Sequence, residues 1–248
     1  VVLTIDDRLQ QVAAEALGHE KGSIVAIEPS TGKILAMVSY PTFDSNTVSE
    51  NWAELNSDDE NSPLLNRATQ GLYPPGSTFK IITAASALEV STKYMDFNFK
   101  CTGDAKFGDS ILHCYDGKAH GKVDMTSAFA KSCNGYFATV AEEIGNDQLI
   151  KTATDFGFNT DLNFPLEYKK ASFALKSNSD VKELAATAIG QGKTLTSPLF
   201  MAMVTSAIAN NGSIMQPYIV DHIETPSGGV RNRTLPTKLL QACDSSTA

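Results

Sequence analysis

Apolar positions near the start of the chain recur at a helical period. Ile5, Leu9, Val12, Ala13 and Ala16 share one face of IDDRLQQVAAEAL, acidic residues stand early where the helix dipole favours them, and Gly18 supplies a stop. The period then changes. Two β-prone runs, Ser23–Ile27 and Ile34–Tyr40, flank the turn Pro29-Ser30-Thr31-Gly32 and predict a hairpin in the core of a sheet. Residues 41–63 are polar and read as a long loop. Pro74-Pro75-Gly76 punctuates sharply, and Ser77 opens a run, STFKIITAASALE, that is apolar on nearly every side and so predicts a buried helix. Residues 91–122 return to Gly-containing polar loop. Helical patterns follow at 125–131, 135–144, 147–156, 181–189 and 198–209, and Ile214–Ile223 reads as strand. Strands first, a mostly helical middle and strands again predict an α+β domain whose sheet is completed late in the chain.

Composition narrows the function classes. Of 248 residues, 42% are hydrophobic and 19% charged, a globular composition. The formal net charge of −8 argues against a nucleic-acid binder, which would carry a basic stripe. The most apolar stretch, PLFMAMVTSAIA at 198–209, is shorter than the roughly 20 residues needed to cross a bilayer. The first residues, VVLTIDDRLQ, do not read as a signal peptide, and the chain is expected to begin inside a longer protein. Cys101 and Cys114 bracket a polar loop, and a disulfide or two free thiols fit equally well. No C-x-x-C occurs, and His19, His113, His120 and His222 do not stand at zinc-ligand spacings from the cysteines, so no metal site is expected.

Ser77-Thr78-Phe79-Lys80 is an S-x-x-K. Residues three apart on a helix share a face, so the lysine amine can reach the serine hydroxyl. A serine needs an adjacent base to act as a nucleophile, and a lysine buried in an apolar helix loses its proton more readily. A serine in a first helical turn also lies near N–H groups that favour a developing oxyanion. The bland alternative is a capping serine beside a snorkelling lysine. The motif recurs at Ser30–Lys33, in a hairpin turn where such chemistry is not expected, so context separates the two. Ser132-Cys133-Asn134 is an S-x-N between two helical stretches, where a serine can relay a proton and an asparagine can hold an amine or a substrate amide. It too has a duplicate, Ser49-Glu50-Asn51. A P-loop reading of Gly192-Lys193-Thr194 fails because Thr187 stands where the motif needs glycine. His113 and His120 lie in the loop before the S-x-N and read more readily as solvated than as lining a substrate groove; Trp52 stays undecided.

These motifs, in this order, resemble the penicillin-binding protein transpeptidase domains of high-molecular-weight, class B peptidoglycan synthases. LTIDDRLQ, GSIVAIEPSTGKILAMVSYPTFDSN, NRATQGLYPPGSTFKIITAASALE, SCNGYF and AIGQGKTLTSPLFMAMVTSAIANNGSIMQPYIV each resemble a block of that family, and together they extend along most of the chain. The resemblance implies a penicilloyl-serine transferase fold, as in serine β-lactamases: a central antiparallel sheet with the Ser77 helix beneath it, and a helical subdomain at about 91–190. It implies a peptidoglycan D,D-transpeptidase in which Ser77 is acylated by a D-Ala-D-Ala stem peptide or a β-lactam antibiotic. Lys80 would activate Ser77, Ser132 would shuttle the proton, Asn134 would position Lys80 and substrate, and the N–H of Ser77 would supply half the oxyanion hole. No cofactor and no metal are implied. Partners would be the stem peptide and other cell-wall synthesis proteins, and the domain would face the outside of the plasma membrane, on an anchor outside these residues. The family's third motif, K-T-G, is absent from the 248 residues, because Gly192-Lys193-Thr194 is followed by Leu195. The expectation is therefore a single domain, 1–248, lacking its K-T-G strand and part of its sheet, with the remainder in a separate segment of the same protein. A β-lactam sensor or non-catalytic scaffold is the alternative reading, and a serine β-lactamase is less favoured.

Overall fold

Short polar side chains account for where several helices begin. Asp6, Asp124, Asp180 and Ser197 each accept a hydrogen bond from the backbone N–H three residues on, at 2.8–3.3 Å. Each such cap stabilises its helix by about 1 kcal/mol. The computed structural model describes residues 1–248. The elements are β1 (Val2–Leu3), α1 (Asp7–Leu17), β2 (Gly22–Ile27), β3 (Ile34–Tyr40), α2 (Trp52–Ser57) and α3 (Lys80–Val90). Then come β4 (Phe99–Cys101), β5 (Asp104–Phe107), β6 (Ser110–His113), β7 (Gly121–Val123), α4 (Met125–Ala130) and α5 (Asn134–Asp155). Last are α6 (Val181–Ala188), α7 (Pro198–Ala209), β8 (Ser213–Met215), β9 (Val220–Glu224), β10 (Val230–Arg233) and β11 (Lys238–Gln241).

The hairpin forms as its alternation predicts, with Gly22 opposite Tyr40 and Ala26 opposite Ala36 in antiparallel register. Helix α1 lies against β3 and α7 against β2. Phe79 and Ile82 share one apolar cluster with Ile34 of β3. Helix α3 packs mainly on α5, and α7 stands between the layers: its Thr205, Ile208 and Ala209 share a groove with Ile81, Ala84, Ala85 and Leu88 of α3. The other strands form small antiparallel groups, β1-β9-β10, β8-β11, β4-β7 and β5-β6.

Four expectations need correction. Ser77 lies in a 3-10 turn, Gly76–Phe79, and the α-helix proper begins at Lys80. The run expected as one strand at 214–223 is two strands in different sheets, separated by a segment containing Pro217, which has no N–H to give a ladder. The loop at 91–122 holds four short strands and the loop at 41–63 holds α2. The two helical patterns at 135–144 and 147–156 hold as two stretches of α5, parted by Gly145 at φ 81°.

Two apolar clusters meet at α3. One contains Phe79, Phe158, Phe173 and Phe200, with the Phe79 and Phe173 rings stacked at 5.7 Å and the Phe158 and Phe200 rings edge-on at 4.7 Å. The other gathers Tyr136, Phe137, Met125, Val123 and three cysteines. Buried hydroxyls join the helices across this seam: Thr152 donates to Ser86 at 3.1 Å and Thr83 to the Ala188 carbonyl at 2.7 Å. No helix is long and apolar enough to cross a membrane.

Candidate active site

The Ser77 turn is anchored from three directions. Phe79, fully buried in the aromatic cluster, fixes the turn from below. Upstream, Tyr73 exchanges backbone hydrogen bonds with Thr196 at 2.9 Å each way. The Gly76 N–H donates to the Gly190 carbonyl at 2.8 Å, so the turn at Gly190 abuts the residue before the serine. Gly190 has φ 73°, and a Cβ there would lie 2.0 Å from the Gly76 carbonyl oxygen, so only glycine fits. Ser77 itself is left exposed.

Ser132 reaches the same point from α4. Its N–H donates to the Phe129 carbonyl and the Cys133 N–H to the Ala128 carbonyl, at 3.0 and 2.8 Å. This is the Schellman arrangement of a helix end, with Ser132 in the left-handed position, φ 52°, where glycine is usual. A side chain there costs on the order of 1 kcal/mol, a strain that tends to accompany function. Here it aims the hydroxyl at Ser77.

Lys80 closes the constellation. It is 2% exposed, and its Nζ lies 3.1 Å from Ser77 Oγ, 2.9 Å from Ser132 Oγ, 2.9 Å from the Ser132 carbonyl and 2.6 Å from Asn134 Oδ1. Ser132 Oγ is 2.9 Å from Ser77 Oγ. Burial pushes the Lys80 ammonium down to about 8, against the opposing influence of Cys114 and Cys133 beside it. A free amine is therefore within reach near neutral pH, 3.1 Å from a hydroxyl whose proton it can take. Asn134 faces both ways, its Oδ1 on Lys80 and its Nδ2 donating to the His113 carbonyl at 2.8 Å.

A family model for the "penicillin binding protein transpeptidase domain" matches residues 22–244. The chain belongs to that family. It is 37% identical to the peptidoglycan D,D-transpeptidase PbpA of Mycolicibacterium smegmatis over 94% of its length, and 36% identical to the peptidoglycan D,D-transpeptidase MrdA of Acinetobacter baumannii over 88%. It spans 50% and 35% of the length of those two proteins. Among solved structures, the D,D-transpeptidase domain of a peptidoglycan glycosyltransferase from Eggerthella lenta superposes with a TM-score of 0.95 at 35% identity, covering 100% of this chain and 63% of that one. The imipenem acyl-enzyme of Mycobacterium tuberculosis penicillin-binding protein A gives 0.90 at 31% identity, covering 99% and 60%. The α+β architecture is thus that of penicillin-binding transpeptidase domains.

In this transpeptidase domain, folding brings Ser77, Lys80, Ser132 and Asn134 into one hydrogen-bonded group. It leaves the duplicate motifs apart from it. Ser30 is exposed, and Lys33 lies 3.6 Å from Asp221 in an ion pair. His113 sends its ring to Asp104 at 2.7 Å and contributes only its carbonyl to the site. Trp52 is 56% exposed on α2. Lys193 is 3.9 Å from Glu183 at the surface. Sequence reasoning missed Gly190, although its Gly-Gln-Gly setting marks a tight turn, and it gave no role to Phe79. Neither touches the reacting atoms, and both hold the turn that does.

Proposed function

We propose that this chain carries the acylating centre of a peptidoglycan D,D-transpeptidase. The observation that carries the reading is the Lys80 amine, buried and held 3.1 Å from the exposed Ser77 hydroxyl by Ser132 and Asn134. Ser77 Oγ attacks the carbonyl between the two D-Ala residues of a stem peptide as Lys80 takes its proton. The tetrahedral oxyanion faces N–H groups at the start of the helix, that of Ser77 among them. The C–N bond then breaks, and the departing D-Ala nitrogen receives a proton relayed through Ser132. An amino group of a neighbouring stem attacks the resulting ester, returns the proton to Ser77 and leaves a peptide cross-link. β-Lactams enter by the same attack, with ring opening in place of amide cleavage. The work is done on the outer face of the plasma membrane, where peptidoglycan lies, and the relatives named as peptidoglycan D,D-transpeptidases support this placement.

The test is an exchange reaction. The full-length protein, given a stem pentapeptide ending in D-Ala-D-Ala and a D-amino acid acceptor, is expected to release D-Ala and yield the exchanged peptide, and Ser77→Ala to yield none. Efficient hydrolysis of a β-lactam without any exchange would instead make it a hydrolase, and loss of both reactions in folded wild-type protein would contradict the proposal.

A further inference from the structure

Directly behind the Ser132–Asn134 segment the fold assembles a group that the chain's residue spacing does not reveal. Cys101 at the end of β4, Cys114 after β6, His120 before β7 and Cys133 between Ser132 and Asn134 bring three thiols and one imidazole within 4.8 Å of one another. The three cysteines are free and buried, and His120 is half-buried. Cys101 Sγ lies 3.7 Å from Cys114 Sγ and 3.4 Å from His120 Nδ1, and Cys114 Sγ lies 3.9 Å from Cys133 Sγ. We propose that these four side chains form a tetrahedral zinc site that holds the Ser132–Asn134 turn in place.

Geometry favours a metal over a cross-link. In a tetrahedral site with Zn–S near 2.3 Å and Zn–N near 2.05 Å, neighbouring sulfurs stand about 3.8 Å apart, and sulfur and nitrogen about 3.6 Å apart. The Cys101–Cys114, Cys101–His120 and Cys114–Cys133 separations lie within a few tenths of an ångström of those edges, and the other pairs lie within 4.8 Å. A Cys101–Cys114 disulfide would account for two of the four groups and leave Cys133 and His120 gathered without purpose. Three soft sulfurs and one imidazole select zinc over magnesium or calcium, which take oxygen.

In binding Zn²⁺ each thiol gives up its proton to solvent and donates a sulfur lone pair, with no change of oxidation state.

The site would tie the loop at 99–123 to the S-x-N turn at two points. One is the metal at Cys133, and the other is the hydrogen bond from Asn134 to the His113 carbonyl, next to Cys114. Cys133 would then be a positioning residue. It fixes the backbone on which Ser132 and Asn134 are mounted.

Full-length protein purified under reducing conditions should contain one zinc per chain. Replacing it with Co²⁺ should give near-ultraviolet thiolate-to-cobalt charge transfer and the visible bands of a tetrahedral ion. Removing it with a chelator should lower Tm by roughly 5–10 °C. Chelation should also slow β-lactam acylation at least tenfold, restored by added zinc. Cys101→Ser should lose the charge-transfer band. His120→Ala, at a half-buried position, should fold and bind zinc at least about tenfold more weakly. Folded, reduced protein with neither zinc nor a cobalt–thiolate band would overturn the proposal. So would native protein in which mass spectrometry finds Cys101 and Cys114 joined. An acylation rate indifferent to loaded metal would remove the positioning role.

Discussion

The chain carries the same four-residue motif twice, and the fold puts the two copies to different uses. At Ser30–Lys33 the segment turns between β2 and β3, the serine faces solvent, and the lysine pairs with Asp221 at 3.6 Å, 35% exposed. At Ser77–Lys80 a 3-10 turn runs into a buried helix, so the serine is exposed but the lysine is not. Burial presses the Lys80 ammonium toward the neutral amine, down to about 8, and leaves its nitrogen 3.1 Å from Ser77 Oγ. Chemistry thus follows from burial and from what a second element brings to the lysine, and the spacing of serine and lysine is only a precondition.

That contrast can be broken in graded steps. Lys80→Ala should lower the acylation rate by about 10³-fold or more, the scale of losing a positioned base, while Lys33→Ala should leave it unchanged. Ser132→Gly keeps the left-handed backbone and removes the hydroxyl, so it should cost about 10²-fold in acylation with little loss of Tm. Ser49→Ala should do nothing. Gly190→Ala forces a Cβ against the Gly76 carbonyl, and both Tm and acylation should fall, by about 2–4 kcal/mol in stability.

A pH profile sharpens the comparison further. The acylation rate should rise as pH passes through about 8, where Lys80 loses its proton. Stability carries the matching sign. The folded value lies below the ordinary 10.5, so between about 8 and 10.5 the unfolded chain holds more protons and stability should climb with pH. Denaturant melts of wild type and Lys80→Met should differ in that window and run parallel outside it. The smallest effect is expected at the other copy, where Lys33→Ala breaks a half-exposed ion pair and should cost less than about 1 kcal/mol in the same melts.

What was legible in the sequence was local or repeated in a known order. The hairpin announced itself by two β-prone runs about a Pro/Gly turn, and α7 by the apolar run at 198–209, capped by Ser197. The four residues at the site could be named because five blocks followed the order of one family. What stayed hidden depends on contacts distant in sequence. Gly190 matters because it meets Gly76, and nothing near residue 190 points there. The cysteines and His120 sit at spacings that match no short metal motif, since two small antiparallel strand pairs and a helix end must fold before they converge. Pro217 could have been read as a strand breaker, but the apolar residues around it hid the change of sheet.

Burial of Lys80 should make Ser77, and not Ser30, the nucleophile. The most direct test is the intact mass of the full-length protein after exposure to a β-lactam, for wild type, Ser77→Ala and Ser30→Ala. One adduct on wild type and on Ser30→Ala, with none on Ser77→Ala, is the predicted result. An adduct that survives Ser77→Ala, or no adduct on folded wild-type protein, would contradict it.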